Sequence, residues 1–294
     1  MVKVRVPATS ANIGTGFDCL GIALTLYNTY TFEETEQDGF VGFAPEFSNK
    51  GNLVYTSMME AFKQMGISFE RGITIGIEEC IPISRGLGSS AVCIVGGVAG
   101  ANALAGNRLS DDEVLTIAAS IEGHPDNIAP AIFGGMTVSI KDGDRFYANK
   151  IKVSDGLKFY ALIPNFRLET KAARAALPTS LSFSDAVHNV GRSSMLISVM
   201  QNGQFELLET CLSDKLHQPY RKSLIPGYEE IQNKCREFGS YGTFISGAGP
   251  TIMTLVSKEN TSFESRMADC FDGMENGWRI VCLDVDDVGV CVEK

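Results

Sequence analysis

A run of 22 consecutive uncharged residues, from Gly86 to Asn107, constrains the fold of this chain more than any other segment. The run is long enough to span a lipid bilayer. However, only six of its residues are strongly apolar, and almost all the others are Gly, Ala, Ser or Asn. Insertion into lipid would therefore be weakly driven. The run predicts a helix buried inside the protein, and we expect no membrane partner.

Charge and cysteine usage narrow the class of protein further. The 25 Lys and Arg residues against 35 Asp and Glu residues give a net charge of −10, which disfavours binding to a nucleic-acid backbone. The N-terminus, Met1–Val6, alternates charged and apolar residues as a short strand does and lacks the profile of a signal peptide. The eight cysteines contain no C-x-x-C pair and no zinc-ligand spacing. These features predict a cytoplasmic protein with reduced thiols and no nucleic-acid partner.

Hydrophobic periodicity predicts strands and helices that do not alternate strictly, which favours an α+β fold over a doubly wound sheet. Strand-like alternation occurs at Val4–Val6, Ile73–Ile77, Lys158–Ile163, Thr251–Val256 and Arg279–Val285. Helical periods occur at Val54–Met65, after the capping box Ser110–Glu113, and between Pro226, predicted to open a helix, and Gly239. The polar stretch Lys141–Gly156 predicts a boundary between domains 1–150 and 151–294.

A glycine-rich loop precedes the long small-residue helix. Glycines allow a backbone to approach a ligand closely, and the start of a helix offers free N–H groups to an anion. For a lone Gly-x-Gly, a tight turn capped by serine would be the better explanation. This loop comprises Pro82–Ala91.

Three other interpretations of this loop can be compared. A P-loop requires Gly-Lys, which occurs nowhere in the chain, and the signatures of protein kinases are absent. The segment Gly86–Ala91 matches the dinucleotide pattern G-x-G-x-x-A, with Asp111 further along the chain. However, a proline-containing stretch precedes the loop, and Asp111 begins a helix where that pattern requires a strand end. A dinucleotide-binding oxidoreductase remains the weaker alternative.

Two further loops resemble known motifs. With Pro82–Ala91, the segments Pro7–Gly21 and Ser246–Thr251 resemble the three motifs of the GHMP small-molecule kinases, and the first in this form resembles that of the homoserine kinases. The similarity extends through Glu122–Pro130, Thr170–Arg174 and His217–Arg221. The resemblance implies a ribosomal-S5-like N-terminal domain and a ferredoxin-like C-terminal domain. It also implies phosphorylation of the L-homoserine hydroxyl by ATP with Mg²⁺, as in threonine biosynthesis, and a homodimer.

The resemblance also assigns roles to individual residues. The residues that it implies bind the ATP phosphates are Pro82, Ile83, Ser84, Arg85, Gly86, Leu87, Gly88, Ser89, Ser90, Ala91 and Val92. Ser90 and Glu122 are the expected Mg²⁺ ligands, because this ion prefers a few hard oxygens together with phosphate and water. A partly exposed helix-end carboxylate is the alternative for Glu122. Arg174 and Arg221 match the positions that bind the substrate carboxylate, for which an arginine fork is suited. Surface salt bridges are the alternative for the two arginines.

The remaining substrate contacts follow from the same motifs. Asp18 and Asn12 are expected to bind the ammonium group, although Asp18 could instead cap a turn. His124, otherwise a structural histidine, and Thr170 are expected to bind substrate. Asn127 and Asp18 would orient the hydroxyl, and no general base is assigned because an amide cannot act as one. Two further alternatives stay open: a GHMP kinase for another small alcohol, and a nucleotide-binding regulator without turnover.

Overall fold

The computed structural model describes residues 1–293, which form two sheets flanked by helices. The strands are β1 (Val2–Ala11), β2 (Leu20–Thr35), β3 (Gly39–Val41), β4 (Gly72–Glu78), β5 (Met136–Asp142), β6 (Arg145–Ile151), β7 (Leu157–Ile163), β8 (Ser240–Ile245), β9 (Ile252–Ser257), β10 (Arg279–Leu283) and β11 (Cys291–Glu293). The helices are α1 (Leu53–Gln64), α2 (Ser89–Leu104), α3 (Asp111–Glu122), α4 (Ile128–Phe133), α5 (Thr170–Ala175), α6 (Phe183–Asn202), α7 (Leu208–Cys211), α8 (Gln218–Arg221), α9 (Tyr228–Glu237) and α10 (Phe263–Phe271).

The first sheet combines strands from both ends of the chain. Over residues 1–293 it has seven strands, in the order β11-β1-β2-β4-β3, with β5 on β2 and β6 on β5. The β3–β4 pair is parallel and the other pairs are antiparallel. The antiparallel second sheet, β10-β7-β9-β8, packs against α9 and α10. This arrangement is α+β, as predicted, and differs from the parallel sheet that the dinucleotide alternative requires.

Helix α2 is the buried helix that the uncharged run predicts. Its glycines allow close packing, because a Cβ atom at Gly96 would lie 2.5 Å from the Tyr30 ring and one at Gly100 would lie 2.5 Å from the Phe32 ring. The exclusion of charge from the run therefore follows from contact with β2 on one side and α1 on another. Among the described residues, no helix combines the length and apolarity needed to cross a membrane.

Several local predictions are confirmed and others are wrong. The capping box at Ser110 is present, and α3 begins directly after it. Pro226 does not open the following helix, because Gly227 is its N-cap and α9 begins at Tyr228. The stretch Lys141–Gly156 is not merely a turn-rich boundary, since it contains β6, which pairs with β5 as a hairpin. All eight cysteines are free thiols.

The division at residues 150 and 151 remains a proposal. It falls between β6 and β7, where the chain leaves the first sheet for the second. Two structural features connect the parts of the chain on either side of this division. Strand β11 returns to pair with β1, and one continuous hydrophobic core contains residues from both parts, including Leu115, Phe159 and Leu255.

Candidate active site

The three glycine-containing motifs meet at one place, although they are far apart in the sequence. Pro7–Ala11 of the first motif is the end of β1 rather than a loop. The motifs are joined by backbone hydrogen bonds, in which Thr9 N donates to Leu87 O (3.2 Å), Gly247 N to Ala11 O (3.1 Å) and Thr251 N to Arg85 O (3.2 Å). The segments that carry the family resemblance therefore form one structural unit.

This unit borders a cavity of about 120 Å³. The structure brings together in its lining most of the predicted site residues: Asn12, Asp18, Ser84, Gly86, Gly88, Ser89, Ser90, Glu122, His124, Asn127, Thr170, Arg174 and Arg221. Lining residues to which the sequence assigned no role are Asp126, Leu168, Gly247, Ala248 and Gly249. The predicted ATP-binding residues outside the lining are Pro82, Ile83, Arg85, Leu87, Ala91 and Val92. Leu87, Ala91 and Val92 belong to the core.

The glycine-rich loop Pro82–Ala91 has a conformation that requires glycine at two positions. Gly86 and Gly88 have φ values of 78° and 71°, in the left-handed region. A Cβ atom at Gly88 would overlap Thr9 Oγ1, and one at Gly86 would overlap the carbonyl oxygen of Ser246. Gly88 is also the N-cap of α2, so the unpaired N–H groups of the first helical turn begin at this cavity. The arrangement suits an anion such as a phosphate.

Ser90 and Glu122 offer two oxygen ligands on the same side of the cavity. Ser90 Oγ donates a hydrogen bond to Glu122 Oε2 at 2.7 Å. Burial raises the pKa of the Glu122 carboxyl, and the Ser90 hydrogen bond offsets part of that rise. Residues 1–293 contain no group of three or more His, Cys, Asp or Glu side chains placed for a metal. A hydroxyl and a partly buried carboxylate fit Mg²⁺, which completes its shell with phosphate and water.

Asp18 and Arg174 bind each other across the cavity. Arg174 Nη1 donates to Asp18 Oδ2 at 3.0 Å, and Nη2 donates to Oδ1 at 2.8 Å, which is a bidentate pair. Asn12 holds Asp18 in position, because its Oδ1 accepts from Asp18 N at 3.0 Å and its Nδ2 donates to Gly247 O at 2.8 Å. Both polar ends of Asn12 thus already have protein partners.

Arg221 is a buried guanidinium whose partners are neutral. It is only 2% exposed. Its Nε donates to Ala173 O at 3.3 Å and its Nη1 to Gly247 O at 3.0 Å. Burial, followed by the nearby charge of Arg174, lowers the pKa of Arg221 to about 10. A cation held in this way is prepared to accept an anionic ligand.

Phe17 and His217 support the two arginines, and sequence reasoning assigned no role to either. The guanidinium carbons of Arg221 and Arg174 lie 5.2 and 5.7 Å from the Phe17 ring centroid, within cation–π range. His217 stacks on Phe17 at 5.1 Å. Burial lowers the pKa of His217, so the neutral ring can donate from Nε2 to Gly14 O (2.7 Å) and accept from Arg221 at Nδ1 (3.4 Å). The four-residue spacing of His217 and Arg221 is the signal that could have identified this contact.

The segment after α3 brings three polar side chains to the cavity. His124 Nδ1 lies 2.8 Å from Oδ1 of the buried Asp126. Burial opposes protonation of His124, but the hydrogen bond and charge of Asp126, with Glu122 and Asp18 nearby, raise its pKa overall. Asn127 Oδ1 accepts from Thr9 Oγ1 at 2.8 Å, which leaves its amide N–H groups available to a ligand.

Comparison with known proteins identifies the family. The model of the GHMP kinases N terminal domain matches residues 52–135, and that of the GHMP kinases C terminal matches residues 196–269. A homoserine kinase of Clostridium botulinum (strain Okra / Type B1) is 48% identical over 296 residues, covering 100% of this chain and 99% of its own. The chain belongs to the homoserine kinases of the GHMP kinase family.

Two more members extend the comparison. A homoserine kinase of Clostridium beijerinckii is 45% identical, covering 99% of this chain and 98% of its own. The crystal structure of a homoserine kinase from Cytophaga hutchinsonii superposes with a TM-score of 0.88 at 28% identity, covering 99% and 97% of the two chains. The predicted family and its α+β fold are therefore confirmed, and the dinucleotide-binding alternative is not favoured.

Proposed function

We propose that this protein transfers the γ-phosphoryl group of ATP to the side-chain hydroxyl of L-homoserine, giving O-phospho-L-homoserine for threonine biosynthesis. One observation carries the proposal. The same cavity joins the N-terminal end of α2, which suits phosphate, to Asp18, Arg174 and Arg221, which match the two charges of an amino acid. The names of its full-length relatives support this choice of substrate.

At the nucleotide end, positioning and charge neutralisation are the main requirements of phosphoryl transfer. The backbone of the loop from Ser84 to Ser90 would hold the ATP phosphates. Ser90 and Glu122 would hold Mg²⁺, which when bound neutralises charge on the phosphate oxygens. Because burial favours the protonated form of the Glu122 carboxyl, a nearby cation would favour the ionised form that binds it.

At the substrate end, Arg221 and Arg174 would bind the carboxylate, and Asp18 would bind the ammonium group. Thr170 and the His124–Asp126 pair line the same cavity and would contact the backbone atoms of the amino-acid substrate. The amide N–H groups of Asn127 would orient the hydroxyl oxygen. We assign no general base, so the hydroxyl proton would leave to phosphate or to water.

We also infer three properties that belong to the proposed function. Mg²⁺ accompanies ATP, the protein works in the cytoplasm, and it forms a homodimer. The oxygen donors at Ser90 and Glu122 support the first of these. The acidic net charge of −10 agrees with the second.

An ADP-release assay with Mg-ATP and a panel of alcohols tests the function. L-Homoserine, mevalonate, galactose and L-threonine are compared under identical conditions. We expect turnover with L-homoserine far above that with the other three. Preferred turnover of another alcohol would transfer the assignment to a different GHMP kinase activity. ATP binding without turnover of any alcohol would favour a regulator, and NAD binding as tight as ATP binding would restore the oxidoreductase alternative.

A further inference from the structure

We propose that the ion pair between Asp18 and Arg174 is exchanged for the two charges of the substrate, so that it selects ligands carrying both an ammonium and a carboxylate group. The inference rests on the proposed function, because it concerns how the same cavity chooses its substrate class. It adds a discriminating step that neither charged residue would provide alone.

Asp18 and Arg174 each already occupy the binding groups of the other. The pair is bidentate, with N–O distances of 2.8 and 3.0 Å, so both carboxylate oxygens of Asp18 and both terminal nitrogens of Arg174 are engaged. The fork that would bind a substrate carboxylate is therefore filled by a protein carboxylate of the same geometry. The Arg174 side chain is 41% exposed and the Asp18 side chain is 34% exposed, so the pair can separate without opening the core.

Arg221 differs from Arg174 in the groups to which it donates. Arg221 donates to two backbone carbonyl oxygens and to His217, and it needs to release no carboxylate before an anion binds. Arg174 must first leave Asp18. Phe17 lies within 6 Å of both guanidinium groups, so the two cations are held near each other and share one approaching anion.

The balance of charge in the cavity differs between ligands with one charged group and ligands with two. A ligand with only a carboxylate draws Arg174 away and leaves Asp18 without a partner. A ligand with only an ammonium group draws Asp18 away and leaves Arg174 facing the like charge of Arg221. A zwitterion compensates both residues at once. The two ligand charges therefore act cooperatively, and unpaired charge penalises every ligand that carries only one of them.

Direct binding measurements test the exchange. Dissociation constants are measured by NMR titration for L-homoserine, for 4-hydroxybutyrate, which lacks the ammonium group, and for 3-aminopropan-1-ol, which lacks the carboxylate. The proteins are wild type, Asp18→Asn and Arg174→Gln. Asn tolerates the left-handed backbone of position 18, where φ is 55°, so this variant keeps the turn.

The expected result is a gain of affinity after loss of a charge. Asp18→Asn frees Arg174 and tightens 4-hydroxybutyrate about fivefold, the upper value for a partly exposed ion pair. Arg174→Gln frees Asp18 and tightens 3-aminopropan-1-ol to a similar extent. Both variants weaken L-homoserine.

A matched control removes an arginine partner outside the cavity. Glu209→Gln breaks the pair with Arg236, whose N–O distances are 2.7 and 2.8 Å, and should leave all three dissociation constants unchanged. Unchanged or weaker binding of 4-hydroxybutyrate to Asp18→Asn would overturn the exchange. Failure of the wild type to phosphorylate L-homoserine would instead overturn the proposed function, because the titrations need no turnover.

Discussion

At the scale of single residues, substitutions at Ser90 and Glu122 distinguish a catalytic role of their contact from a structural one. We expect Ser90→Ala and Glu122→Gln each to lower turnover by at least about 100-fold, because each removes an oxygen ligand or its charge from the proposed Mg²⁺ site. An ADP-release assay at saturating Mg-ATP measures the effect. Thr56→Ala, at an exposed site on α1, is the control. Near-normal turnover in both variants would place them outside the site.

Loss of the Glu122 carboxylate is expected to raise stability although it lowers turnover. Burial raises the pKa of Glu122, so the folded state binds its proton more tightly than the unfolded state. The resulting stabilisation is complete below the ordinary value of 4.5 and is lost as the pH rises through the raised pKa. Without ligands, Glu122→Gln should therefore raise the melting temperature at neutral pH. Thermal unfolding should show the difference disappearing below pH 4.5, and a loss of stability at neutral pH would contradict it.

Arg221 is expected to determine affinity for the carboxylate. Arg221→Ala should weaken L-homoserine binding by about 2–5 kcal/mol, as for loss of one partner of a desolvated charge pair, while ATP affinity stays nearly constant. Against the methyl ester of homoserine, wild type and variant should bind similarly, because the charge pair is already absent. Arg236→Ala is the exposed control. An equal loss for the acid and the ester would show that Arg221 only supports the fold.

At the scale of elements, helix α2 is predicted to tolerate no added methyl group at its contact with β2. Gly100→Ala would place a Cβ atom 2.5 Å from the Phe32 ring and should destabilise the protein by about 1–3 kcal/mol. Gly191→Ala in α6 is the matched control. Nothing lies within 4 Å of its added Cβ, so it should stabilise by about 0.5–1 kcal/mol. Urea unfolding measures both, and equal effects would contradict the packing argument.

The elements that sequence predicts well are those with a single buried face. Helix α3 has its capping box and an apolar stripe, and the alternation at Ile73–Ile77 lies within β4. The 16-residue β2 was not predicted, because its first five residues are all buried and do not alternate. The sequence motifs predicted most of the residues that line the cavity. Motifs persist at such sites because the backbone geometry, as at Gly86 and Gly88, requires particular residue types. The stacking of Phe17 on His217 depends on contacts between distant segments, which local sequence does not report.

At the scale of the whole molecule, the site requires both halves of the chain. Ser246 contacts the glycine-rich loop at Gly86, and Ser246 and Gly247 contact the first motif. The main core contains residues from both sides of residue 150. A fragment of residues 1–150 should therefore bind ATP at least about 100-fold more weakly than the full chain and expose core surface to a hydrophobic dye. Full-length protein is the control. Tight ATP binding by this fragment would show that its site is independent.

The pairing of β11 with β1 also affects how this protein folds while it is being synthesised. Lys3 lies opposite Glu293, so β1 is joined by a strand that is synthesised long after it. Contacts between such distant positions form late, because nearly the whole chain must close as a loop. Until Cys291–Glu293 have left the ribosome, the edge of β1 that β11 will cover stays open. Completion of the first sheet must therefore await the synthesis and release of β11.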